Sequence, residues 1–543
     1  MNSVTVNQIK IPYKNDSFDS LINKASKILK IEKSNFKDIK ILKKSLDARY
    51  KPELYYIYNI YITLKNNNYK KIKDKNVFYN KPLVEYEFLN TINKNIIKTD
   101  LEGRIVVIGF GPCGIFASYL LSLCGLKPLI IERGEEVDKR EKTVKAFWNG
   151  EELDENSNVL FGEGGAGTFS DGKLNTGVND KFGRNSFILN TFYKFGAPEN
   201  ITYDSKPHIG TDILKTCVKN IREEIKKLGG EFLFEHTVSD FIIKNNTLNG
   251  VVIKDRHGNE QEIKTNLAIL AIGHSSRDTF FKLHDMNIIM EKKTFAVGLR
   301  IQHPQDVINM GQYGCNDKEL PASDYKLTYE TKEGRNVYSF CMCPGGYVVN
   351  SSSEKGKLSI NGMSNNDRNS GIANSALVTT ITPEMVGLFH DKGPLSGVYY
   401  QKELEEKAFI LGDGKIPSQY YGDFKNKTLS RINKDHVRFM GEYKDAALHE
   451  LLPEKFNESI IEAIEYYGNK LKGFNDEKAV LSGIESRTSS PVRIIRDSNF
   501  ESSIKGLYPS GEGCGYAGGI MSAAIDGLKV AENIIKEVLC SED

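Results

Sequence analysis

The chain has few cysteines, little proline and a single tryptophan, and these shortages exclude several classes of protein. Its 543 residues include 8 Cys, 16 Pro and 1 Trp. The cysteines lack the paired spacings of a structural zinc site, and their low number argues against a disulfide-stapled secreted domain. The N-terminal residues lack the basic-then-apolar order of a signal peptide. We therefore expect a cytoplasmic protein with free thiols and no bound metal.

Long hydrophobic runs are also lacking, with one exception. Residues 105–126 contain no charged side chain, and a membrane helix needs roughly 20 apolar residues. However, Gly109, Gly111, Pro112 and Gly114 interrupt this run. We predict a turn between a strand and a helix here, and no membrane partner.

Net charge is nearly absent, at +2, but this total hides two unlike parts. Residues 1–98, the head, carry 20 Lys and Arg against 9 Asp and Glu, while residues 99–543, the body, carry 53 against 62. Tyr55 and Tyr61 lie among the lysines of the head, which is the composition of an RNA-binding surface. A solvated face, or a head docked on the acidic body, explains the same charges, so nucleic acid is the less favoured partner.

The strongest local pattern is Gly109-Phe-Gly-Pro-Cys-Gly114, which follows a predicted strand and opens a predicted helix. The first glycine permits a tight turn, the second lets the backbone approach a pyrophosphate at the helix N-terminus, and the third allows close packing. Glu132 ends the next predicted strand and is placed to bind an adenosine ribose. An acid at this position favours FAD or NAD over a 2′-phosphorylated cofactor. A tight turn without a ligand is the alternative.

A second glycine pattern, Gly162-Glu-Gly-Gly-Ala-Gly167, lacks the strands of a dinucleotide fold. We predict that its backbone amides form an anion-binding loop near the cofactor. Lys173 follows this loop and is a candidate to stabilise negative charge on a reduced cofactor ring. A flexible surface loop and a solvated lysine are the alternatives.

Two further patterns carry possible chemistry. Cys341-Met-Cys343 is a candidate dithiol, because side chains two apart in a strand point the same way. Buried small residues are the commoner explanation for such cysteines. Arg487 lies shortly before the C-terminal glycine-rich segment and is a candidate to bind a carboxylate or phosphate with both arms of its guanidinium. An inter-domain ion pair is the alternative for Arg487.

The segment 508–519, YPSGEGCGYAGG, leads into a predicted helix that starts at Ile520. Here the sequence resembles the glutathione-reductase-like FAD superfamily, in which an acid of such a turn holds the flavin's ribityl chain. Glu512 stands where that superfamily usually has Asp. Gly273, after a predicted strand, and Val238 stand where the superfamily's backbone passes the cofactor and its adenine.

Several segments narrow this resemblance to a family of FAD-dependent dehydrogenases. They are residues 161–174, 341–346, 361–364 and 485–493, together with the C-terminal segment. The resemblance covers the chain from about Arg104 to the C-terminus. It implies FAD as the cofactor and an oxidoreductase that acts on an unidentified small molecule. The flavin would carry the hydride or electrons, and the substrate itself or transiently bound NAD(P)H would reduce it.

The predicted fold class is α/β, with a discontinuous Rossmann-like FAD-binding domain, an inserted α+β domain and a small N-terminal α/β domain. The predicted domains are 1–98 for the basic N-terminal domain, 99–276 and 482–543 for the two parts of the FAD-binding domain, and 277–481 for the inserted substrate or cap domain. The predicted catalytic residues are Lys173 and Arg487. The predicted cofactor-binding residues are Gly109, Gly111, Pro112, Gly114, Glu132, Arg133, Gly164, Gly165, Thr168, Val238, Gly273, Glu512, Gly513, Gly518, Gly519 and Ile520.

Overall fold

The computed structural model describes residues 2–67, 69–97 and 103–541, and it has an α/β fold with both parallel and antiparallel sheets. Its strands are β1 Ser3–Pro12, β2 Phe36–Tyr50, β3 Glu53–Leu64, β4 Val77–Tyr79, β5 Ile92–Ile97, β6 Val106–Ile108, β7 Leu129–Glu132, β8 Glu231–Phe234, β9 His236–Lys244, β10 Thr247–Asp255, β11 Glu260–Lys264, β12 Ala268–Leu270, β13 Met290–Lys292, β14 Phe295–Pro304, β15 Thr328–Glu330, β16 Asn336–Cys343, β17 Tyr347–Asn350, β18 Ile360–Met363, β19 Ile372–Ile381, β20 Ile416–Tyr420, β21 Phe439–Met440, β22 Tyr443–Asp445, β23 Val480–Glu485, β24 Val492–Ile494, β25 Leu507–Pro509 and β26 Leu539–Ser541. Its α-helices are α1 Phe18–Leu29, α2 Pro112–Leu123, α3 Val137–Trp148, α4 Arg184–Lys194, α5 Thr211–Lys227, α6 Arg277–Asp285, α7 Gln305–Tyr313, α8 Ser396–Gly412, α9 Tyr421–Asn426, α10 Glu454–Lys470 and α11 Ile520–Val538.

The head forms an antiparallel sheet in the order β2-β3-β1-β4, with α1 on one face. The side chain of Ser17 caps the N-terminus of α1 by accepting a hydrogen bond from the Ser20 amide. Leu21, Ala25 and Leu29 recur at the spacing of one helix face and are buried against the sheet. The basic head therefore has a hydrophobic core of its own.

The hairpin of β2 and β3 also joins the head to the body. Lys44 of β2 exchanges backbone hydrogen bonds with the body, donating to the Tyr203 carbonyl at 2.8 Å. Near the end of the hairpin, Leu54 is buried with Tyr313 and Leu320 of the body. The predicted docking of the head on the body thus has backbone and hydrophobic contacts as well as opposite net charges.

A five-stranded parallel sheet lies at the centre of the body, in the order β25-β12-β6-β7-β8. The chain starts at β6, adds β7 and β8 on one side, and later adds β12 and β25 on the other. The strand order therefore reverses at β6. In open parallel sheets, ligands bind beyond the carboxyl ends of the strands at such a reversal.

Both faces of this parallel sheet are covered. On one face, α2, α5 and α11 pack together in a core that includes Phe116, Ile221 and Leu528. On the other face, the antiparallel sheet β9-β10-β11 contributes Val251 and Ile253 to a second core. Burial on both faces explains why the residues of β6, β7 and β12 are uniformly apolar apart from Glu132.

A second large sheet has the order β15-β16-β19-β14-β23-β20-β22 and is antiparallel except between β20 and β22. Helices α7, α8 and α10 contribute buried side chains to its core, among them Ile308, Leu404 and Ile460. The end of β16 and the end of β23 reach the carboxyl edge of the parallel sheet. This second sheet therefore supplies one wall of the cleft described below.

The predicted domain boundaries stay predictions. The boundary after residue 98 lies outside the described residues. The boundary after residue 276 directly precedes α6, and the one after residue 481 lies within β23. Among the described residues, no helix combines the length and apolar composition that crossing a membrane requires. The uncharged run forms β6 and the 12-residue helix α2.

Candidate cofactor site

A cleft with a volume of about 380 Å³ lies at the carboxyl end of the parallel sheet, where the strand order reverses. The turn after β6, the loop before Lys173, the segment before α11 and the end of β16 form its walls. Most of the predicted site residues line it. These are Gly109, Gly111, Pro112, Glu132, Arg133, Gly165, Lys173, Val238, Gly273, Arg487, Glu512, Gly518, Gly519 and Ile520. The other four, Gly114, Gly164, Thr168 and Gly513, lie behind the walls.

The three glycines of the turn after β6 differ in whether the packing of the protein requires a glycine at their position. Gly109 has a φ of +98°, and a Cβ there would lie 2.5 Å from the Ala271 carbonyl oxygen. A Cβ on Gly114 would lie 2.0 Å from the Gly109 oxygen. Both positions require glycine because of the protein's own packing. A Cβ on Gly111 would meet only the Gly165 Cα, at 3.7 Å, so the fold itself does not require a glycine there.

Glu132 is 5% exposed and organises the backbone around the turn. One carboxylate oxygen accepts a hydrogen bond from the Phe110 amide at 2.8 Å. The other accepts from the amides of Gly134 and Gly162, both at 3.0 Å. A carboxylate has about four acceptor positions, so these three bonds leave one for a ligand in the cleft. Glu132 therefore ties the two glycine segments together as well as facing the cleft.

The second glycine segment is held by a buried arginine. Arg140 of α3 is fully buried, and its guanidinium donates to the carbonyls of residues 158, 159, 162 and 163. A Cβ on Gly162 would lie 2.4 Å from the Arg140 side chain. Burial lowers the pKa of Arg140 to about 10, against the effect of nearby carboxylates. The guanidinium therefore stays charged at neutral pH and fixes the path of the loop.

Within this loop the predicted residues take different places. Residues Gly165–Phe169 form a 3-10 turn. Gly165 lines the cleft, whereas Gly164 faces the hydroxyl of Thr168, where a Cβ would lie 2.0 Å from the Thr168 oxygen. Thr168 is buried and donates to the Glu163 carbonyl at 3.2 Å. Gly164 and Thr168 therefore shape the loop from behind the wall.

A buried ion pair supports the same loop from α5. Glu163 has no exposed surface, and one of its oxygens contacts the Arg222 guanidinium at 2.8 Å and the Val137 amide at 2.7 Å. Burial raises the pKa of Glu163 to about 7, although Arg222 acts in the opposite direction. The sequence pattern did not identify Arg140 or Arg222, because both come from distant helices.

The segment before α11 approaches the cleft from the other side. A Cβ on Gly513 would lie 2.2 Å from the Gly273 oxygen, so Gly513 serves close packing between these two loops. Gly518 has no protein atom within 4 Å of such a Cβ and borders the open cleft. Glu512 contacts the Nδ1 atom of His274 at 3.2 Å. The other ring nitrogen of His274 is buried without a hydrogen-bond partner among the described residues.

Asp526 of α11 fixes the beginning of the same segment. It accepts from the Gly511 amide at 2.8 Å and from both arms of the Arg496 guanidinium, at 2.7 and 2.9 Å. Cys113 and Cys514 are buried beside it, and burial raises the pKa of the Cys113 thiol to about 12. These two cysteines are therefore packing residues.

Lys173 reaches the cleft within a network of charges. Its ammonium group lies 3.1 Å from the Asp171 carboxylate and donates to the carbonyl of Met342. Asp171 also accepts from Arg368 at 2.6 Å. Burial alone would lower the pKa of Lys173, but Asp171 and the two thiols of Cys341 and Cys343 outweigh it and raise this pKa. Lys173 is therefore positively charged at the cleft.

Arg487 lines the cleft and is also held by a buried carboxylate. Its Nε and Nη2 atoms donate to Glu405 at 2.9 and 2.7 Å, and its Nη1 atom donates to the Ser353 hydroxyl at 2.5 Å. Glu405 also accepts from Arg277 at 2.8 Å through each of its two oxygens. The two arginines hold the pKa of Glu405 well below its usual range, although burial acts in the opposite direction. Arg487 therefore forms an ion pair, which was the alternative to ligand binding in the sequence analysis.

The cleft has the features that a dinucleotide requires. Pro112 begins α2, so the N-terminus of that helix faces the cleft beside Gly111, where main chain rather than side chain meets the ligand. The unpartnered nitrogen of His274 and the open space at Gly518 belong to residues that line the same cleft. The volume falls within the range of roughly 300–1,000 Å³ of small-molecule sites. The residues 2–67, 69–97 and 103–541 contain no group of three or more side chains suited to hold a metal.

The sheet order and the glycine-lined cleft define an α/β protein with mixed sheets and a cleft where the strand order of its parallel sheet reverses. Residues 294–488 match the family described as "FAD-dependent protein, C-terminal domain-like". Residues 3–63 match a domain of unknown function (DUF8436). An "Uncharacterized protein" of Clostridium beijerinckii is 44% identical over 544 residues, covering 98% of this chain and 99% of that one. The chain belongs to the same family as this Clostridium protein.

Solved structures give weaker likenesses. The flavin-dependent brominase Bmp2 has a TM-score of 0.37 and 12% identity, covering 80% of this chain and 79% of that one. A flavoprotein/dehydrogenase from Cytophaga hutchinsonii has a TM-score of 0.35 and 12% identity, covering 80% and 79%. TM-scores this low support no inference about fold or chemistry. The glutathione-reductase-like superfamily therefore stays a prediction.

Proposed function

We propose that the chain is an FAD-dependent oxidoreductase and that FAD lies along the cleft. The observation that carries this proposal is the position of Gly111, a glycine that the fold does not require, at the helix N-terminus where the strand order reverses. The match of residues 294–488 to an FAD-dependent family supports FAD as the dinucleotide. When bound, FAD supplies two-electron chemistry that side chains alone lack.

Different groups of residues that line the cleft would hold the different parts of FAD. Glu132, Arg133 and Val238 form the end that suits the adenosine part. The amides at the start of α2, beside Gly111 and Pro112, suit the pyrophosphate. Glu512, fixed by His274, suits the ribityl hydroxyls. Residues 518–520 border the open space that suits the flavin ring.

Lys173 and Arg487 lie at the flavin end in this arrangement. The Lys173 ammonium would stabilise negative charge that develops on the reduced ring. Arg487 would present to the substrate the part of its guanidinium that faces the cleft, while Glu405 keeps the guanidinium in place. The substrate would be a small molecule that gives or accepts two electrons, and NAD(P)H is the alternative source of electrons.

The absorption spectrum of the purified full-length chain tests this proposal. We expect flavin absorption after purification, or after incubation with FAD and removal of the unbound cofactor. A colourless protein that takes up no FAD would overturn the proposal. Bleaching of that absorption by NADH or NADPH without other substrate would identify the reductant.

Two glycine variants test the position of the cofactor. In Gly111→Ala, the new methyl group would make an ordinary contact with the protein but would enter the path of the pyrophosphate. We expect a loss of FAD affinity of at least tenfold at unchanged thermal stability. Gly177→Ala is the matched control, because a Cβ there meets no protein atom within 4 Å and Gly177 does not line the cleft. Equal affinity in both variants would contradict this placement of FAD.

Nucleic-acid binding through the basic head stays a prediction. The contacts of Lys44 and Leu54 with the body favour the docked arrangement over a free binding surface. We therefore advance the oxidoreductase alone.

A further inference from the structure

The end of β16 brings two cysteines together at the wall of the cleft. The pairing of β16 with β19 shifts between Phe340 and Cys343, and Cys341 has a φ of +44°. Over this stretch β16 has one residue more than β19. The extra residue forms a β-bulge, and a β-bulge changes the direction in which the side chains of the strand point. The Cys343 thiol donates a hydrogen bond to the carbonyl of Cys341 at 3.3 Å, and the two side chains are close enough to shift each other's pKa. Two thiols in contact form a dithiol, whereas a single buried cysteine has no such partner.

The two thiols differ in their exposure. Cys341 is half-buried and lines the cleft, whereas Cys343 is completely buried behind it. In thiol–disulfide exchange, an accessible thiolate attacks first and a neighbouring thiol then resolves the mixed disulfide. The exposure assigns the first role to Cys341 and the second to Cys343.

Two cations lie beside this pair of cysteines. Lys173 donates to the carbonyl of Met342, between the cysteines, and Arg300 donates to the carbonyl of Cys341 at 3.2 Å. Their counter-charges are also present, because Asp171 pairs with Lys173 and Glu485 pairs with Arg300. Arg368 also pairs with Asp171, so these three cations and two carboxylates leave a net positive charge beside the cysteines until a thiol ionises.

The thiol of Cys341 ionises more readily than an ordinary thiol. The interaction with the Cys343 side chain is the largest cause that lowers the pKa of Cys341 below its ordinary value. Burial acts in the opposite direction, and Lys173 and Arg300 lower the pKa further. The lowered pKa favours the thiolate of Cys341, which is the form that attacks sulfur.

We propose that Cys341 and Cys343 are a redox-active dithiol that reduces a low-mass disulfide compound entering the cleft. The Cys341 thiolate attacks one sulfur of that compound, a new S–S bond forms, and the other half leaves as a thiolate that takes a proton from solvent. Cys343 then attacks the Cys341 sulfur and breaks the mixed disulfide, and the proton that Cys343 loses goes to the second half, which leaves as a thiol. The compound gains two electrons, and the pair loses two electrons as it becomes a disulfide. This exchange needs no cofactor, so it is independent of the proposed FAD chemistry.

Oxidised glutathione is the probe for the test. The reduced full-length chain is freed of reductant, incubated with the probe without oxygen, alkylated and mapped by peptide mass spectrometry. We expect a disulfide between Cys341 and Cys343 in the native chain. In Cys343→Ser the mixed disulfide with glutathione should accumulate on Cys341, and in Cys341→Ser neither product should form. Cys315→Ser is the matched control, since Cys315 is half-buried and does not line the cleft, and it should leave the disulfide unchanged.

Full alkylation of Cys341 and Cys343 after incubation, with glutathione found on Cys315 instead, would overturn the proposal. The map of the native chain gives this answer even if a variant does not fold. The flavin absorption of the same sample keeps the two proposals apart. A chain that binds FAD but keeps both thiols reduced rejects the dithiol alone, and a chain that forms the disulfide but binds no FAD rejects the cofactor alone.

Discussion

The segments 109–114 and 162–167 share one spacing of glycines, yet the protein builds them in different ways. The first is formed by regular structure, because β6 leads directly into α2 and backbone packing selects Gly109 and Gly114. The second lies in a loop whose path depends on buried charged side chains, chiefly Arg140 and Glu163. The same sequence pattern can therefore occur in a turn whose shape is determined by backbone packing and in a loop that is held by buried charged side chains, some of them from distant helices.

The largest effect should come from removing the arginine that holds the second segment. Arg140→Met leaves the four carbonyls that accept from the guanidinium without a donor in a buried place. We expect a loss of about 3–5 kcal/mol in the free energy of unfolding, measured with denaturant. Arg49→Met, at an exposed ion pair of the head, is the control and should leave this energy nearly unchanged. A small effect of Arg140→Met would mean that the loop does not depend on this charge.

The first segment should respond to backbone crowding instead. In Gly114→Ala the new Cβ would lie 2.0 Å from the Gly109 oxygen, so β6 and α2 must move apart. We expect a loss of about 2–3 kcal/mol in the free energy of unfolding. Gly111→Ala, three residues away, should keep its stability while losing FAD affinity. If the two variants have the same stability, packing does not distinguish these glycines.

The buried carboxylate of the second segment should make stability depend on pH. The pKa of Glu163 is about 7 in the folded chain against an ordinary value of 4.5, so the folded state favours the protonated form. The stability that this preference contributes is present below pH 4.5 and is lost as the pH rises through 7. We expect Glu163→Gln to remove this loss, which is on the order of 1–3 kcal/mol between pH 4.5 and pH 8.

The measurement is the free energy of unfolding of both chains across that pH range. Glu223→Gln is the matched control, because Glu223 pairs with the same Arg222 but is exposed. It should leave the pH dependence above pH 5 as in the native chain. A parallel pH dependence in the native chain and in Glu163→Gln would show that another group is responsible.

The smallest effect should come from removing the positive charge of Lys173, which follows the second segment and lines the cleft. Lys173→Met removes one of the two cations that lower the pKa of Cys341, so the pKa of that thiol should rise toward its ordinary value. The shift should be partial, because the interaction with the Cys343 side chain and the charge of Arg300 remain. The pH dependence of alkylation of Cys341 measures it. Lys206→Met, at an exposed ion pair, should give the native profile.

The sequence predicted the parts of the site that depend on neighbouring residues. The turn after β6, the position of Glu132 and the segment before α11 follow from local patterns, and the structure brings them to one cleft. Contacts between distant residues were not predictable in this way. No spacing indicates that Arg140 holds the second loop, and no spacing indicates that His274 contacts Glu512.

Backbone conformation also could not be predicted from the pattern of residue types. Gly164 and Gly165 are adjacent residues of the same type, but only Gly165 lines the cleft. The difference arises where the 3-10 turn begins, at Gly165. The contact between Cys341 and Cys343 depends on a one-residue shift between β16 and β19. A shift of register leaves no trace in composition, since it results from how two separate strands pair.

The central parallel sheet has a consequence for the order of events during synthesis. Its edge strand β25 and the helix α11 come from residues 507–538, whereas β6 and α2 come from residues 106–123. Since a ribosome delivers the chain from its N-terminus, the turn at Gly111 emerges long before its opposite wall at Gly518. Until then β12 is an unpaired edge, and the cleft has one side. Cofactor capture would therefore be a late event, and a chain that stops before residue 507 would expose the sheet edge that invites aggregation.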